Sequence, residues 1–129
     1  MNDLNDALAA ASSGMRAQAG RLRLVSENIA NADTPGYHRK LASFEAEMNR
    51  DGAGTVAMGR VRLDPSEPEQ LYDPAHPMAD AEGYVLGSNV DLMIEVADAR
   101  EAGRSYEANL KLFEQVREMQ TALMDLLRR

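Results

Sequence analysis

The side chains best suited to chemistry stand together in one short segment, "DPAHPMADAEG". It holds Asp73, His76, Asp80 and Glu82, which are residue types that bind metal ions. The His-x3-Asp spacing is common by chance, and the other histidine, His38, is distant in sequence. A metal site also needs several ligands on a supported scaffold. We therefore interpret the segment as a loop with solvated carboxylates, and predict neither a metal nor another cofactor.

The remaining catalytic arrangements are missing from the sequence. Gly52 and Gly54, in "DGAG", form a turn without the Lys and Ser/Thr of a phosphate-binding loop. The absence of cysteine removes thiolate catalysis, disulfides and Cys-based zinc sites together. No Ser-His-Asp arrangement or paired-carboxylate cleft can be assembled from the other residues. The chain is therefore predicted not to be an enzyme.

The charge of the chain excludes further classes. The net charge is −7, and residues 41–88 carry nine of the 21 acidic side chains but three of the 14 basic ones. Nucleic-acid binding needs a basic face, and none is visible. No stretch approaches the roughly 20 apolar residues that cross a bilayer, and the first residues do not resemble a cleaved signal. We predict no nucleic-acid partner, no membrane insertion and a cytoplasmic protein, unless export needs no cleaved signal.

The first 30 residues predict one long helix that begins at a cap formed by Asn2 or Asp3. Apolar or small residues recur at alternating steps of four and three, with Gln18 as the polar member, which is a heptad pattern. Gly14 and Gly20 each weaken the helix by about 1 kcal/mol relative to Ala, but permit close helix approach. The predicted assembly seam of this helix consists of Leu4, Leu8, Ala11, Met15, Leu22, Val25 and Ile29.

A turn with several strong signals ends this helix in "NIANADTPGY". Its asparagines tolerate a left-handed backbone, and one of them is a plausible C-terminal cap. The residue before the proline is pushed out of helical geometry, the Pro-Gly pair favours a turn, and the tyrosine ring can fold back on the helix end. The predicted turn residues are Asn28, Asn31 (the cap), Thr34, Pro35, Gly36 and Tyr37.

The middle of the chain reads as an irregular insert with a short β hairpin. "TVAMGRVRL" suggests one or two short strands, and Tyr84–Leu86 another. Residues 64–83, between them, are predicted to be an extended loop. A loop of this length argues against a self-contained fold and favours a surface ordered by a partner.

The last 40 residues predict a second long helix. Asn89 or Asp91 caps it, and Glu95 lies in the first turn, where negative charge suits the helix dipole. The steps of three and four resume along it. The predicted assembly seam of this helix consists of Leu92, Val96, Ala99, Gly103, Tyr106, Leu110, Phe113, Val116, Leu123 and Leu127.

The predicted fold class is mainly α, with two long terminal helices in a coiled-coil-like pair and a loop-rich insert of short β-strands. One structural domain comprises residues 1–37 (helix and capped turn), 38–88 (insert) and 89–129 (helix). Two helices cover only one side of each other's apolar stripe, so other chains must bury the remainder. The sequence therefore predicts an assembly subunit.

Two stretches carry a resemblance to a known family. "SGMRAQAGRLRLVSENIANADTPGY" resembles the N-terminal signature of the flagellar axial proteins, the rod, hook and hook-associated subunits. "HPMADAEGYVLGSNVDLMIEVADAREAGRSYEANLKLFEQV" looks like the C-terminal half of the FlgC rod subunits. "ADTPGY" is shorter than in many FlgC chains and also resembles FlgB, so the first stretch does not separate the two families.

The resemblance implies a subunit of the proximal rod of the flagellar basal body. Such subunits pass unfolded through the type III export apparatus without signal cleavage, and assemble in the periplasmic space. Their terminal helices form a hollow tube that transmits torque and carries exported subunits. The implied partners are further copies, FlgB, FlgF and FliE. The turn is hypothesised to fix how the helix leaves the inner layer, where subunits meet. The alternatives are a sister rod subunit such as FlgB, or a cytoplasmic helical adaptor or export chaperone.

Overall fold

Along the sequence, a long helix precedes a series of short strands and a second long helix follows it. The computed structural model describes residues 2–48, 52 and 54–129. This architecture confirms the predicted fold class. The elements are α1 (Asn2–Ala30), β1 (Lys40–Leu41), β2 (Phe44–Met48), β3 (Gly54–Met58), β4 (Arg62–Leu63), β5 (Gln70–Tyr72), β6 (Tyr84–Leu86) and α2 (Leu92–Leu127).

The two helices pack against each other in antiparallel orientation. Near one end, Gln120 Nε2 on α2 donates a hydrogen bond of 2.7 Å to Asn5 Oδ1 on α1. Towards the other end, Arg21 on α1 lies 3.3 Å from the carboxylate of Asp98 on α2. The beginning of α1 therefore lies beside the end of α2.

The glycines of α1 lie at close contacts, but only Gly14 has the close helix approach that the sequence predicted, since Gly20 lies against a strand. A Cβ atom at Gly14 would lie 2.8 Å from the side-chain nitrogen of Asn109 on α2. A Cβ atom at Gly20 would lie 3.0 Å from the sulfur of Met58 on β3. Helix α1 therefore lies between α2 on one side and the β2–β3 hairpin on another.

The described residues of the insert form three antiparallel two-stranded pairs. The predicted stretch "TVAMGRVRL" holds β3 and β4, but these strands do not pair with each other. Strand β3 pairs with β2, with Phe44 opposite Met58, and β4 pairs with β1. Strand β6 spans the predicted Tyr84–Leu86 and pairs with β5, where the rings of Tyr72 and Tyr84 meet edge to face at 5.3 Å. Of these strands, β1 and β3 lie against α1.

The prediction that residues 64–83 are an extended loop is wrong in part. Strand β5 lies within this segment, and its partner β6 follows immediately after it. The turns between the two strands are hydrogen-bonded, since Asp73 N–H donates to Gly83 O at 2.9 Å. A strand of three residues is too short to show the alternation by which strands are recognised in a sequence.

The starts of the helices test the caps predicted from the sequence. For α1 the prediction is wrong, because the helix begins at Asn2 and Asp3 lies in its first turn, so neither residue precedes it as the cap. The N-cap of α2 is Asp91, whose carboxylate accepts the N–H of Met93 at 3.0 Å. Asn89 is not the cap, because its side chain instead accepts the N–H of Arg39 at 2.6 Å.

The core between these elements is thin and built mainly from small side chains. The buried hydrophobic residues include Ala11, Ala17 and Ala102, with Val116 towards the end of α2. The largest fully buried side chains of the described residues are polar, namely Glu95 and Asn28. Within the described ranges, no helix combines the length and apolar character needed to span a membrane.

Candidate assembly surface and signature turn

The turn after α1 is held by its own backbone and by one side-chain cap. Asn31 follows the last helical residue, and its side-chain nitrogen donates to Glu27 O at 2.8 Å. Tyr37 N–H then donates to Thr34 O at 3.1 Å across the Pro-Gly pair, and Gly36 has a φ of 72°. This is the geometry of a type II turn, which favours glycine at that position.

The expected left-handed asparagine is wrong. Among the described residues, positive φ angles occur at glycines alone. Asn31 caps the helix through its side chain instead, because a side-chain amide can bond the last carbonyls without leaving right-handed geometry. The turn itself is attached to the insert, since Gly36 N–H donates to Gly87 O at 3.0 Å.

Asn28 has a different position from the one predicted for a turn residue. It lies inside α1 and is 1% exposed. Its Oδ1 accepts the N–H of Lys40 at 2.8 Å and the hydroxyl of Tyr37 at 2.9 Å. Its Nδ2 donates to Lys40 O at 3.1 Å and to Glu95 Oε2 at 3.3 Å. The predicted fold-back of Tyr37 on the helix is thus confirmed, with Asn28 as its partner.

A buried ion pair lies beside Asn28. Arg39 Nε donates to Glu95 Oε1 at 2.7 Å, and the Glu95 side chain is 0% exposed. The same guanidinium lies 3.5 Å from Asp64 and 3.6 Å from Asp98. We call Asn28, Tyr37, Arg39 and Glu95 the polar clasp.

Burial and neighbouring charges shift the pKa values of residues in and beside the polar clasp. Burial opposes the charged form of Arg39, but its hydrogen bonds to Glu95 and Asp64, and their charges, outweigh burial and raise its pKa. The hydrogen bond from Lys40, 2.8 Å long, and its positive charge lower the pKa of Glu27. Burial raises the pKa of the Tyr37 hydroxyl.

Sequence reasoning missed the polar clasp. Glu95 was expected as a dipole-complementing residue of the first turn, and it does lie there, but buried. A signal was present in the spacing, because Ala102 and Val116 follow Glu95 by seven and 21 residues and are also buried. Positions separated by multiples of seven share one helix face, so Glu95 lies on the inward face.

The predicted seam of α1 lies beside the face that contacts α2. The contacts with α2 involve Gly14, Arg21 and Asn28, which are seven residues apart. Several seam residues are their next neighbours in sequence, and so lie about 100° around the helix. Ala11 and Val25 are buried, Leu4, Leu8, Met15 and Leu22 are partly exposed, and Ile29 is exposed.

The predicted seam of α2 has the same offset. The inward residues Glu95 and Ala102 precede the seam residues Val96 and Gly103 by one position. Val116 is the buried member of the predicted set. Ala99, Gly103, Tyr106, Phe113 and Leu123 are partly exposed, and Leu92, Val96, Leu110 and Leu127 are exposed.

Further apolar surface lies on α2 outside the predicted seam. A shallow groove runs along its first half, where apolar side chains adjoin Arg100 and Arg104. The exposed large side chains beyond the predicted set are Met93, Ile94, Leu112, Met119, Met124 and Leu126. Helix α2 therefore carries extensive apolar surface that the described part of its own chain leaves open.

Two of the residues considered for a metal site, Asp80 and His76, accept hydrogen bonds within their own loop. Asp80 Oδ1 accepts the N–H groups of Glu82 and Tyr84, each at 2.9 Å. His76 Nδ1 accepts the N–H of Met78 at 3.0 Å. No cluster of three or more candidate metal ligands occurs in the part of the chain that the structure describes.

Comparison with protein families identifies the class. Residues 8–38, which cover most of α1 and the turn, match the family "Flagella basal body rod protein". Residues 81–126, which cover β6 and nearly all of α2, match "Flagellar basal body rod FlgEFG protein C-terminal". The chain therefore belongs to the flagellar basal-body rod proteins.

Individual relatives specify the branch. The flagellar basal-body rod protein FlgC of Agrobacterium fabrum is 43% identical, over 99% of this chain and 98% of its own. FlgC of Aquifex aeolicus is 36% identical over 92% and 93%, and FlgC of Salmonella typhimurium 35% identical over 90% and 92%. The chain thus belongs to the FlgC family, which decides between the FlgC and FlgB resemblances.

Proposed function

We propose that this protein is a non-enzymatic structural subunit of the proximal rod of the flagellar basal body. Its terminal helices assemble with those of neighbouring subunits into a hollow axial tube that transmits torque and carries exported subunits. The observation that carries the proposal is the open apolar surface of α2. Ten large hydrophobic side chains of this helix are exposed. Their exposed fractions range from 36% at Leu110 to 83% at Met93.

Such a surface is characteristic of an interface. Large contiguous apolar patches are rare on monomeric soluble proteins and mark sites of association. A hairpin of two helices buries one stripe of each helix, and several residues of the predicted seams lie about 100° away from that stripe. We therefore propose that the exposed and partly exposed seam residues contact neighbouring subunits, whereas Ala11, Val25 and Val116 are buried within the chain.

The three parts of the chain have different proposed positions. Residues 1–37 and 89–129 form the inner layer of the tube, and the insert, residues 38–88, lies outside it. The partners are other copies of this chain, FlgB, FlgF and FliE, with the type III export apparatus as a transient partner. The protein reaches the periplasmic rod without a cleaved signal. The family membership and the uncovered helix faces support this arrangement.

The test is a seam variant expressed in a motile strain that lacks its own copy of the gene. Leu92→Ser with Val96→Ser removes apolar side chains that are 52% and 44% exposed, so the variant should fold and be exported. We expect loss of swimming and of incorporation into basal bodies, both measured against secreted protein. Met78→Ser, at a residue 67% exposed in the insert, is the control and should swim. Normal swimming of the seam variant, or of the deletion strain, would contradict the proposal.

The signature turn has a separate proposed role, which is to fix how α1 leaves the inner layer near the subunit contacts. Its support is the pinned geometry of the turn, in which Asn31 caps α1 and Gly36 is bonded to the end of β6. Asn31→Ala with Gly36→Ala should impair swimming while leaving secretion intact. Unimpaired swimming would count against this role.

A further inference from the structure

Helix α1 covers the outer edges of β1 and β3 but not those of their neighbours β2 and β4. Asn28 of α1 bonds the backbone N–H and C=O of Lys40 in β1, and Ser13 Oγ accepts the N–H of Val56 in β3 at 3.0 Å. Every residue of β2 and of β4 is exposed. The insert therefore has two strand edges that its own chain leaves open in the described residues.

The hydrogen bonds of the β2–β3 pair show which groups of β2 face outward. Gly59 N–H donates to Ser43 O at 2.7 Å, so these two residues are a hydrogen-bonded pair just before β2. Bonded and non-bonded pairs alternate along an antiparallel ladder. Phe44 and Ala46 therefore direct their N–H and C=O groups away from β3, as Val56 opposite Ala46 directs its N–H away from β2.

The same reasoning shows which groups of β4 face outward. Asp64 N–H donates to Arg39 O at 2.9 Å, so this pair faces inward. Leu63 precedes Asp64 and therefore directs its N–H and C=O away from β1. Lys40, which lies opposite Leu63, likewise directs both groups away from β4 and onto Asn28.

The two open edges carry opposite charges in the same alternation. Strand β2 reads "FEAEM", and residues 60–63, which end in β4, read "RVRL". Every residue of both stretches is exposed. Within the described ranges, no ion pair includes a glutamate of the first stretch or an arginine of the second. Each edge thus fits a strand with the charges of the other.

We propose that β2 of one copy and β4 of the next copy pair as antiparallel strands. Placing Leu63 opposite Phe44 joins two residues whose backbone groups face outward. The same register places Arg62 opposite Glu45, and a further arginine and glutamate face each other two residues along. Opposite charges directly across a strand pair are stabilising. This inference rests on the proposed function as a rod subunit and names one contact by which copies meet.

The pairing has to form between copies and between unlike strands. Within one copy Arg62 lies opposite Leu41, which is four residues before Glu45 and so about 13 Å away along a strand. Two β2 strands would bring glutamates together, and two β4 strands would bring arginines together, both of which are destabilising. An interface between two different surfaces repeats from copy to copy, which suits a subunit of an axial tube.

The test is disulfide cross-linking in assembled basal bodies, because the chain has no cysteine of its own. Glu45→Cys with Arg62→Cys is expressed in a motile strain that lacks its own copy of the gene. In the proposed ladder these two positions form a non-bonded pair with Cα atoms about 4.5 Å apart, within reach of a disulfide. After mild oxidation, we expect dimers and larger multimers of this protein on non-reducing gels, since each copy pairs with two neighbours.

The matched control is Ala46→Cys with Arg62→Cys. A shift of one residue places the two side chains on opposite faces of the ladder, so few multimers should form. Equal cross-linking of both variants would overturn the proposal. Basal bodies that contain the Glu45 and Arg62 variant without multimers would overturn the strand pairing and leave the proposed function intact. Absence of the wild-type protein from basal bodies would overturn both.

An exchange of charges decides the matter if the double-cysteine variant is not incorporated. Glu45→Arg with Glu47→Arg should reduce incorporation into basal bodies about tenfold, because like charges then face each other. Arg60→Glu with Arg62→Glu should have the same effect. All four substitutions together restore opposite charges and should restore incorporation and swimming. A fourfold variant that is no better than either double variant, or a double variant that incorporates normally, would overturn the proposal.

Discussion

The two ends of the helix pair are held in different ways. At the turn end, α1 and α2 are joined by charged and amide side chains, with Asn28 and Arg21 of α1 bonded to Glu95 and Asp98 of α2. At the terminal end, the contacts are a glycine beside Asn109, one amide pair between Gln120 and Asn5, and small buried side chains such as Ala11.

This difference indicates which end of the molecule fixes the register of the helix pair within one chain. Buried polar groups need particular partners, so the turn end has one satisfactory register. Small apolar contacts are less selective, and the terminal end also retains the exposed side chains of Met119, Leu126 and Leu127. We infer that the register of the helix pair is specified mainly at the turn end, whereas both ends leave apolar side chains of α2 for neighbours to cover.

The largest expected effect tests the turn end. Glu95→Ala should lower the free energy of unfolding by about 3–5 kcal/mol, because it breaks a buried ion pair. Urea denaturation would measure the loss. Glu101→Ala is the matched control on the same helix, since its side chain is 70% exposed and also paired with an arginine. It should change stability by about 0–1 kcal/mol, and similar losses for both variants would remove the contrast.

A smaller effect is expected at Asn28. Asn28→Ala leaves the N–H and C=O of Lys40 and the hydroxyl of Tyr37 without their partner, at an expected loss of about 1–3 kcal/mol. Asn109→Ala is a control at the terminal end, where the amide donates to Ser105 O of its own helix. Urea denaturation should show a clearly smaller loss for this control. The reverse order would mean that the terminal end is the better specified.

Two side-chain substitutions on α2 test how much of the terminal end is buried in the single chain. Val116→Ala removes two buried carbons and should lower the free energy of unfolding by about 1–2 kcal/mol. Leu127→Ala removes more carbon from a residue that is 72% exposed, so the stability of the single chain should hardly change. Thermal unfolding of both variants provides the measurement. A large loss at Leu127 would show that the end of α2 is already covered.

Two glycine substitutions should have effects of opposite sign. Gly36→Ala forces a side chain into a φ of 72°, with no atoms near its Cβ, and should destabilise by about 1 kcal/mol. Gly103→Ala adds a Cβ in open space within α2 and should stabilise by roughly 0.5–1 kcal/mol. Melting temperatures that shift in the same direction would contradict the assignment of Gly36 to a strained turn.

The smallest expected effect is a dependence on acid. Lys40 lowers the pKa of Glu27, and hydrogen bonds from Ser66, followed by Arg39, lower that of Asp64. These carboxylates therefore stabilise the fold above the ordinary carboxyl pKa of about 4, and this contribution is lost as pH falls through their lowered values. Melting temperatures at pH 5 and pH 3 should differ less in Lys40→Met than in the wild type. An unchanged difference would exclude the Glu27 pair as its source.

The sequence was sufficient for the elements whose signals are local. The heptad steps predicted both helices, and Pro35-Gly36 predicted the turn, because each pattern reflects a preference of neighbouring residues. It was insufficient where the partner lies far along the chain. Nothing near Glu95 shows that Arg39 lies beside it, and Asn28 reads as a turn former until Lys40 is placed against it.

The sequence separation of Asn28 and Glu95 matters whenever the chain emerges stepwise, beginning with its N-terminus. Helix α1 and the turn are present early, yet Asn28 has no acidic partner until residue 95 of 129 has appeared. A fragment that stops sooner lacks the residue that completes its buried centre. An incomplete copy therefore differs from a finished one, because it cannot form the buried contact between Asn28 and Glu95.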